Sequence, residues 1–359
     1  MSPRPSKQLA AIATEGITSV LKEVDVPTPG PGEILVKVVA VTQNPVDWKI
    51  MTWADKFGSV LGYDFAGVVD ELGPDVPEGV RSVGERVAGI APGGYSSNGS
   101  FAEYVLADAE RVVHIPDTWS YEDAAQLGIA GYTTVQCLYE SHTDLPTPFD
   151  PTPTPIPLLV WGGSTSVGQY VIQFAKLAGL YVLTTSSPKN YALLKSLGAD
   201  EVYDYHDPEV SKKIKEKTGG KLVHAVDCVS EGKTGIQISE ALSEKGGVVA
   251  VILPYESPRE GVKAVFSLAH DMLGKKYEFH GLRPWAPKDQ EDADRGKKVS
   301  KFLDRVLAAY GDKIKPNPTL LLPNGLASVA EGIEYMKAGK VSAQKLAYRI
   351  ADTPRSPSL

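Results

Sequence analysis

The residue types most capable of chemistry gather around one turn: Gly162, Gly163, Ser164, Thr165, Ser166, Val167 and Gly168. A short apolar run at 158–161 precedes it. Apolar residues return after it at helical spacing: Val171, Ile172, Phe174, Ala175 and Ala178. A second apolar strand follows at 181–185. Strand, glycine turn, helix and strand make a βαβ unit, in which turn N–H groups and a helix N-terminus can face a pyrophosphate. Thr165 stands where such turns usually keep a central glycine, and Gly168 would let the helix pack closely on the sheet. The same residues also suit an ordinary glycine-rich βα turn.

The end of the second strand bears on which dinucleotide would fit. A turn built for NAD usually places an acidic residue there to hold the ribose diol. Residues 182–190 contain no acid, whereas Ser187 and Lys189 could donate to a 2′-phosphate, which favours NADPH over NADH. A Ser-Pro helix cap with a solvent-facing lysine is the plainer reading of that stretch. Tyr205, after a third strand, could cover an adenine or pack at the surface. Lys49 follows Asp47 and Trp48 behind a strongly apolar strand; it could hold a phosphate or ribose, supply a proton, or lie in a surface turn. Tyr63, beside Gly62 in an apolar run, could donate a proton or a hydrogen bond, or be a core tyrosine. The histidines, His114, His224 and His280 among them, form no HExxH or HxH pattern, so none is assigned to a metal.

These residues need a scaffold, and composition bounds it. A length of 359 residues suits two domains, each with its own core. Hydrophobic content of 42% and charged content of 23% are those of ordinary globular material. A formal net charge of -7 argues against a nucleic-acid or anionic-membrane surface. Two cysteines, Cys137 and Cys228, make neither a disulfide framework nor a cysteine-based zinc site, and suit a reducing compartment. The N-terminal stretch lacks a signal-like apolar core, and no apolar run reaches spanning length, so a cytoplasmic location is expected.

The order of elements is legible in outline. Strands are expected near 9–14, 18–23, 33–42, 60–70, 82–90, 101–106 and 112–115, with bulges or close packing at Gly62 and Gly67. Together they suggest a small twisted barrel-like domain. Ser120 would cap a helix to 127, and a second helix is expected at 132–139. Residues 141–157 carry six prolines and read as a stiff surface loop. After the βαβ unit, helices at 189–197, 208–217 and 235–243 alternate with strands near 198–205, 222–228 and 247–253, and a sixth strand is placed at 277–281. This alternation predicts a mostly parallel, doubly wound sheet. Helices at 298–309 and 326–337 and a strand at 345–350, returning to the first domain, complete the pattern.

The combination GEILVKVVAVTQNPVDWK, VLGYDFAGVV, SVGERVAG, FAEY, AAQLGIAGYTT, the nucleotide turn, KLAG and LGADEVYDY resembles the medium-chain dehydrogenase/reductase superfamily over residues 7–350. The resemblance implies an α/β fold: a GroES-like β-rich catalytic domain from both chain ends, 1–125 with 322–359, and a doubly wound Rossmann domain, 126–321, with a cleft between them. Zinc-dependent relatives keep a cysteine near the NP turn and a His-Glu pair after the next glycine. Here Tyr63 and Asp64 replace the pair and the four-cysteine lobe is missing, which marks a zinc-free member.

Within that branch, NPVDWK, GGSTS, SSPKN, the proline-rich loop and VSAQKL resemble fungal trans-acting enoyl reductases of polyketide synthases and polyketide-peptide synthetases. The resemblance implies NADPH held by Val46, Asp47, Trp48 and Lys49; by Ser164, Thr165, Ser166 and Val167; by Ser187, Pro188, Lys189 and Asn190; and by Tyr205, Ile252, Leu253, Val341 and Ser342. It implies a substrate tunnel lined by Gly128, Ile129, Ala130, Gly131, Tyr132, Thr133, Thr134 and Val135, and by Met272, Leu273, Gly274, Lys275 and Lys276. Lys49 and Tyr63 are the catalytic candidates, Lys49 chiefly in a positioning role. The implied reaction adds a hydride to the β-carbon of an enoyl thioester and a proton to the α-carbon, with no metal. Quinone or small-enone reduction is the main alternative, and a non-catalytic nucleotide-binding protein a remoter one. The implied partner is an acyl carrier protein, docking by its acidic surface on Lys212, Lys213, Lys215 and Lys217 or on Lys297 and Lys298, and the chain is expected to be a monomer.

Overall fold

The first strands follow the apolar alternation closely. In the computed structural model, which describes residues 4–54, 56–275 and 290–355 (of 290–293 the backbone only), β1 (Lys7–Thr14) and β2 (Thr18–Asp25) form an antiparallel ribbon. β3 (Glu33–Gln43) is buried along most of its length and is paired on both sides. β4 (Asp64–Leu72) lies along one side of it, with register shifts at Leu35/Val36 and Val38/Ala40. The expected close packing is there: a Cβ on Gly67 would collide with the Lys37 carbonyl oxygen, and one on Gly62 with the Phe101 ring. Between β3 and β4 the chain forms a helix that patterning did not predict, α1 (Pro45–Ala54). Pro45 suits a first helical position, where no N–H is needed. β5 (Arg86–Ile90), β6 (Tyr104–Asp108) and β7 (Val112–His114) follow. α2 (Tyr121–Ala125) is capped by Ser120 as expected, the Ser120 Oγ accepting from the Asp123 N–H at 3.1 Å. The expected second helix is α3 (Tyr132–Val135), bracketed by wide π-helical turns at Leu127–Gly131 and Gln136–Glu140.

The nucleotide-type unit alternates strand and helix: β8 (Pro157–Trp161), α4 (Ser166–Leu177), β9 (Tyr181–Thr185), α5 (Tyr191–Ser196), β10 (Glu201–Tyr203), α6 (Val210–Lys217), β11 (His224–Asp227), α7 (Thr234–Ala241), β12 (Gly247–Val251) and β13 (Val262–Phe266). The strands form one sheet in the order β10-β9-β8-β11-β12-β13, and every pairing is parallel. Strands covered on both faces need apolar side chains on both, which is why PLLVW, YVLTT and GVVAV do not alternate. Leu159, Trp161, Leu183, Ala225 and Val249 pack with Ile214 and Ile238 of the helices in one core. The sixth strand is β13, and the stretch expected to form it, 277–281, lies outside the described residues.

The chain then continues through α8 (Gln290–Tyr310), β14 (Thr319–Leu321), α9 (Val329–Lys337) and β15 (Lys345–Arg349). β15 pairs antiparallel with β3, as expected of a strand returning to the first domain. The resulting sheet runs β14-β15-β3-β4-β5-β7, with β6 also on β3. Two compact units result: Met1–Ile129 with His270–Leu359, and Ala130–Ala269. The expected boundaries at 126 and 322 are therefore corrected, the second substantially. Residues 290–321 extend the helical pattern in sequence, but their bonds run to the first unit. Asp304 Oδ1 accepts the His114 N–H at 2.6 Å, and the Gly311 carbonyl accepts the Trp119 indole N–H at 3.0 Å.

Candidate active site

The parallel sheet reverses its direction of growth between β8 and β11, where open α/β sheets leave a crevice at the carboxyl ends of the strands. The sequence-chosen nucleotide residues of this unit all lie at that edge. Gly162, directly after β8, has φ +78°, a conformation glycine adopts without strain, and its N–H donates to Thr185 Oγ1 at 3.0 Å. A Cβ on Gly163 would collide with Thr184 Oγ1, and one on Gly168 with the Gly162 carbonyl oxygen. Thr165, in place of a glycine, is the N-cap of α4, its Oγ1 accepting the Gly168 N–H at 3.0 Å. Ser164, Ser166 and Val167 complete the turn and the first helical residues.

After β9, Ser187, Pro188, Lys189 and Asn190 form a short 3-10 turn. Ser187 Oγ lies 3.4 Å from the Tyr205 hydroxyl after β10, so these two candidates are brought together. Lys189 is exposed and forms no ion pair among the described residues. A serine hydroxyl beside a cation, with no carboxylate from 182 to 190, suits a phosphate better than a ribose diol. Ile252 and Leu253 follow β12, and the Ile252 N–H donates to Ser230 Oγ at 3.0 Å. Sequence reasoning missed the loop it joins. Asp227 is fully buried and accepts the N–H groups of Val229 at 3.0 Å and Ser230 at 2.8 Å. Burial pushes its carboxyl upward.

The β-rich unit builds a second cluster. Asp47, on α1, is buried; its Oδ2 accepts the Asn44 N–H at 2.6 Å and its Oδ1 the Tyr63 N–H at 3.1 Å. Burial pushes its pKa up to about 8, against the pull of the Asn44 N–H. Val46, Trp48 and Lys49 share the helix, with Lys49 Nζ 5.8 Å from the centre of the Trp48 ring. Asp64 Oδ2 accepts from Thr42 Oγ1 at 2.8 Å and lies 3.2 Å from Lys345 Nζ, and its Oδ1 accepts the Ile129 N–H at 2.6 Å. Tyr63, fully buried, shares a 2.6 Å hydrogen bond between its hydroxyl and His270 Nε2. His270 is 207 residues away, and no local spacing could have indicated it. Val341 and Ser342 lie in the loop before β15.

The tunnel candidates divide between the units. Gly128 and Ile129 close the β-rich unit, while Ala130, Gly131, Tyr132, Thr133, Thr134 and Val135 open the other and are buried. Met272 and Leu273 are buried, Gly274 has φ +61°, and Lys275 pairs with Glu33 at 2.9 Å. Lys276 lies outside the described residues. The proposed basic patch on α6 is corrected: Lys212 pairs with Glu209, Lys213 with Asp207, Lys215 with Glu244 and Lys217 with Glu201. Lys297 is likewise paired, with Glu110, while Lys298 is exposed. A run of lysines matched by acids carries little net charge to attract an acidic partner.

Family models for the alcohol dehydrogenase GroES-like domain match residues 30–117, and for the zinc-binding dehydrogenase match 166–276. Across nearly the whole chain the similarity is narrower. The trans-enoyl reductase ACTTS2 of Alternaria alternata is 37% identical over 96% of this chain and 99% of its own length. The trans-enoyl reductase buaC of Petromyces alliaceus is 34% identical over 96% and 97%. The chain belongs to the trans-enoyl reductase family. Among solved structures, an alcohol dehydrogenase superfamily protein from Novosphingobium aromaticivorans superposes with a TM-score of 0.76 at 21% identity, covering 96% of this chain and 99% of that one. Mycobacterial Rv1454c complexed with NADPH does so at 0.69 and 24%, covering 95% and 99%. Both share the fold of this trans-enoyl reductase.

The zinc of the broader family does not suit the residues present. Asp64 is held by an ammonium, a hydroxyl and an amide N–H, Asp47 by two amide N–H groups, and the Tyr63 hydroxyl by His270. Among the described residues no three His, Cys, Asp or Glu side chains are grouped to hold a metal ion, and no helix is long and apolar enough to cross a membrane.

Proposed function

We propose that this protein reduces the α,β-double bond of an enoyl thioester carried on the acyl carrier protein of a polyketide synthase or polyketide-peptide synthetase, using NADPH. The observation that carries the proposal is end-to-end similarity to relatives named trans-enoyl reductases. When bound, NADPH supplies the hydride that the β-carbon accepts. The glycine turn at 162–168 and the N-terminus of α4 hold its pyrophosphate, and Ser187 and Lys189 hold its 2′-phosphate. Tyr205, Ile252 and Leu253, at the same strand ends, border the nucleotide.

Negative charge grows on the thioester oxygen as the hydride arrives, and a hydrogen-bond donor there lowers the barrier. Tyr63 is that donor, and Lys49 orients the bound groups. The α-carbon takes its proton from water. Turnover of crotonyl- and longer enoyl-pantetheine thioesters, followed by NADPH oxidation, tests the reading. Oxidation with these substrates is expected; robust turnover of quinones with none of enoyl thioesters would overturn it.

A further inference from the structure

The Tyr63–His270 pair goes further than a tyrosine alone. The two side chains are fully buried, their rings meet edge-on at 4.8 Å between centroids, and the hydroxyl and Nε2 lie 2.6 Å apart. Burial holds His270 neutral at any ordinary pH, with its pKa near 3. A neutral imidazole carries one proton, on either Nδ1 or Nε2. With the proton on Nε2, His270 donates to the tyrosine oxygen, and the tyrosine O–H points onward. With the proton on Nδ1, Nε2 accepts from the tyrosine, and the O–H points back. The Tyr63 main-chain N–H is held by Asp47 Oδ1 at 3.1 Å. The Tyr95 ring, 6.0 Å from the imidazole, packs beside it. The hydroxyl is thus confined by its partner.

We infer that His270 is a positioning residue: its Nε2–H donates to the Tyr63 oxygen and so aims the tyrosine O–H at the oxygen of the enolate. Hydrogen bonds in such a chain polarise one another, so the tyrosine becomes a stronger donor as charge builds on the substrate. No proton leaves the pair; the chain stabilises charge, and the α-carbon is protonated separately. The inference rests on the enoyl reductase reading for its substrate but not for its tautomer.

Two measurements test it. Nitrogen-15 NMR of the histidine-labelled protein without substrate is expected to show His270 as the Nε2–H tautomer, and the Nδ1–H tautomer would overturn the inference whatever the enzyme reduces. In kinetics, Tyr63→Phe is expected to lower kcat on an enoyl thioester about 100-fold with KM little changed. His270→Leu should lower it about 10-fold, and His270→Gln, whose amide N–H can reach the same point, should recover most of that loss. In the Tyr63→Phe background, His270→Leu should have no further effect on kcat. Independent, multiplicative losses would remove His270 from the donor chain while leaving Tyr63 in place. A normal rate for Tyr63→Phe would remove both. Thermal melting and NADPH affinity, measured alongside, should stay near wild type in His270→Gln.

Discussion

Lys345 Nζ lies 3.2 Å from Asp64 Oδ2, and both side chains are at most 4% exposed. The pair joins β15 to β4 across the central strand β3, the carboxylate also taking the Thr42 hydroxyl and the lysine also donating to Asn44. Removing one member of a buried pair leaves the other charged and unmatched. Lys345→Met is therefore expected to lower unfolding free energy by roughly 3–5 kcal/mol in denaturant titration. Combining it with Asp64→Asn should recover part of the loss, because the stranded charge is removed too.

The glycine turn is the second point of leverage. Gly163→Ala would drive a Cβ into Thr184 Oγ1, and Gly168→Ala would drive one into the Gly162 carbonyl. Both should weaken NADPH binding, read by quenching of intrinsic fluorescence, by more than Thr165→Ala does. Thr165→Ala removes only a helix cap and should cost about 1 kcal/mol of stability.

Cofactor choice is expected to reside in two side chains. Ser187→Ala with Lys189→Ala should raise the dissociation constant for NADPH by about tenfold or more, since charge-assisted bonds to phosphate are the strong ones. Affinity for NADH should barely move. Equal losses for both nucleotides would place the 2′-phosphate elsewhere.

Acid stability has a definite sign. Burial lowers His142 from 6.5 to about 4 and His270 from 6.5 to about 3, so the unfolded chain takes up protons that the folded one refuses. Their stabilisation is complete above about 6.5 and is lost as pH falls towards 4 and 3. Asp47 acts in the opposite sense: its pKa is raised from 3.8 to about 8, so its contribution is present at acid pH and fades as pH rises through that range. Replacing His142 with Gln should flatten the fall of melting temperature between about pH 6.5 and 4, whereas Asp47→Asn should flatten the opposing slope towards pH 8.

The α6 lysines give a prediction of little change. Each is matched by a carboxylate, and exposed pairs of this kind contribute about 0–1 kcal/mol. Lys213→Ala with Lys215→Ala should leave KM for a carrier-bound substrate within about twofold of wild type, whereas a rise of tenfold would restore α6 as the docking face.

Local patterning alone determined the two-part architecture, the parallel order of the nucleotide unit and the glycine turn at 162–168, and it singled out Ser187 and Lys189 as candidates to hold a phosphate. Each of those features is written in neighbouring residues: strand and helix periods, glycines at a turn, and the lack of an acid at one strand end. Tertiary structure decided the rest. α1 and β13 are short elements whose apolar residues do not announce their period, and α8 reads as one more helix of the nucleotide unit until the bond of its Asp304 to β7, and that of Gly311 just after it to Trp119, are seen. The neutralised lysines, the Asp64–Lys345 pair and the Tyr63–His270 bond depend on residues far apart in sequence. Buried polar groups must find partners wherever the fold brings them, and no spacing along the chain records where that is.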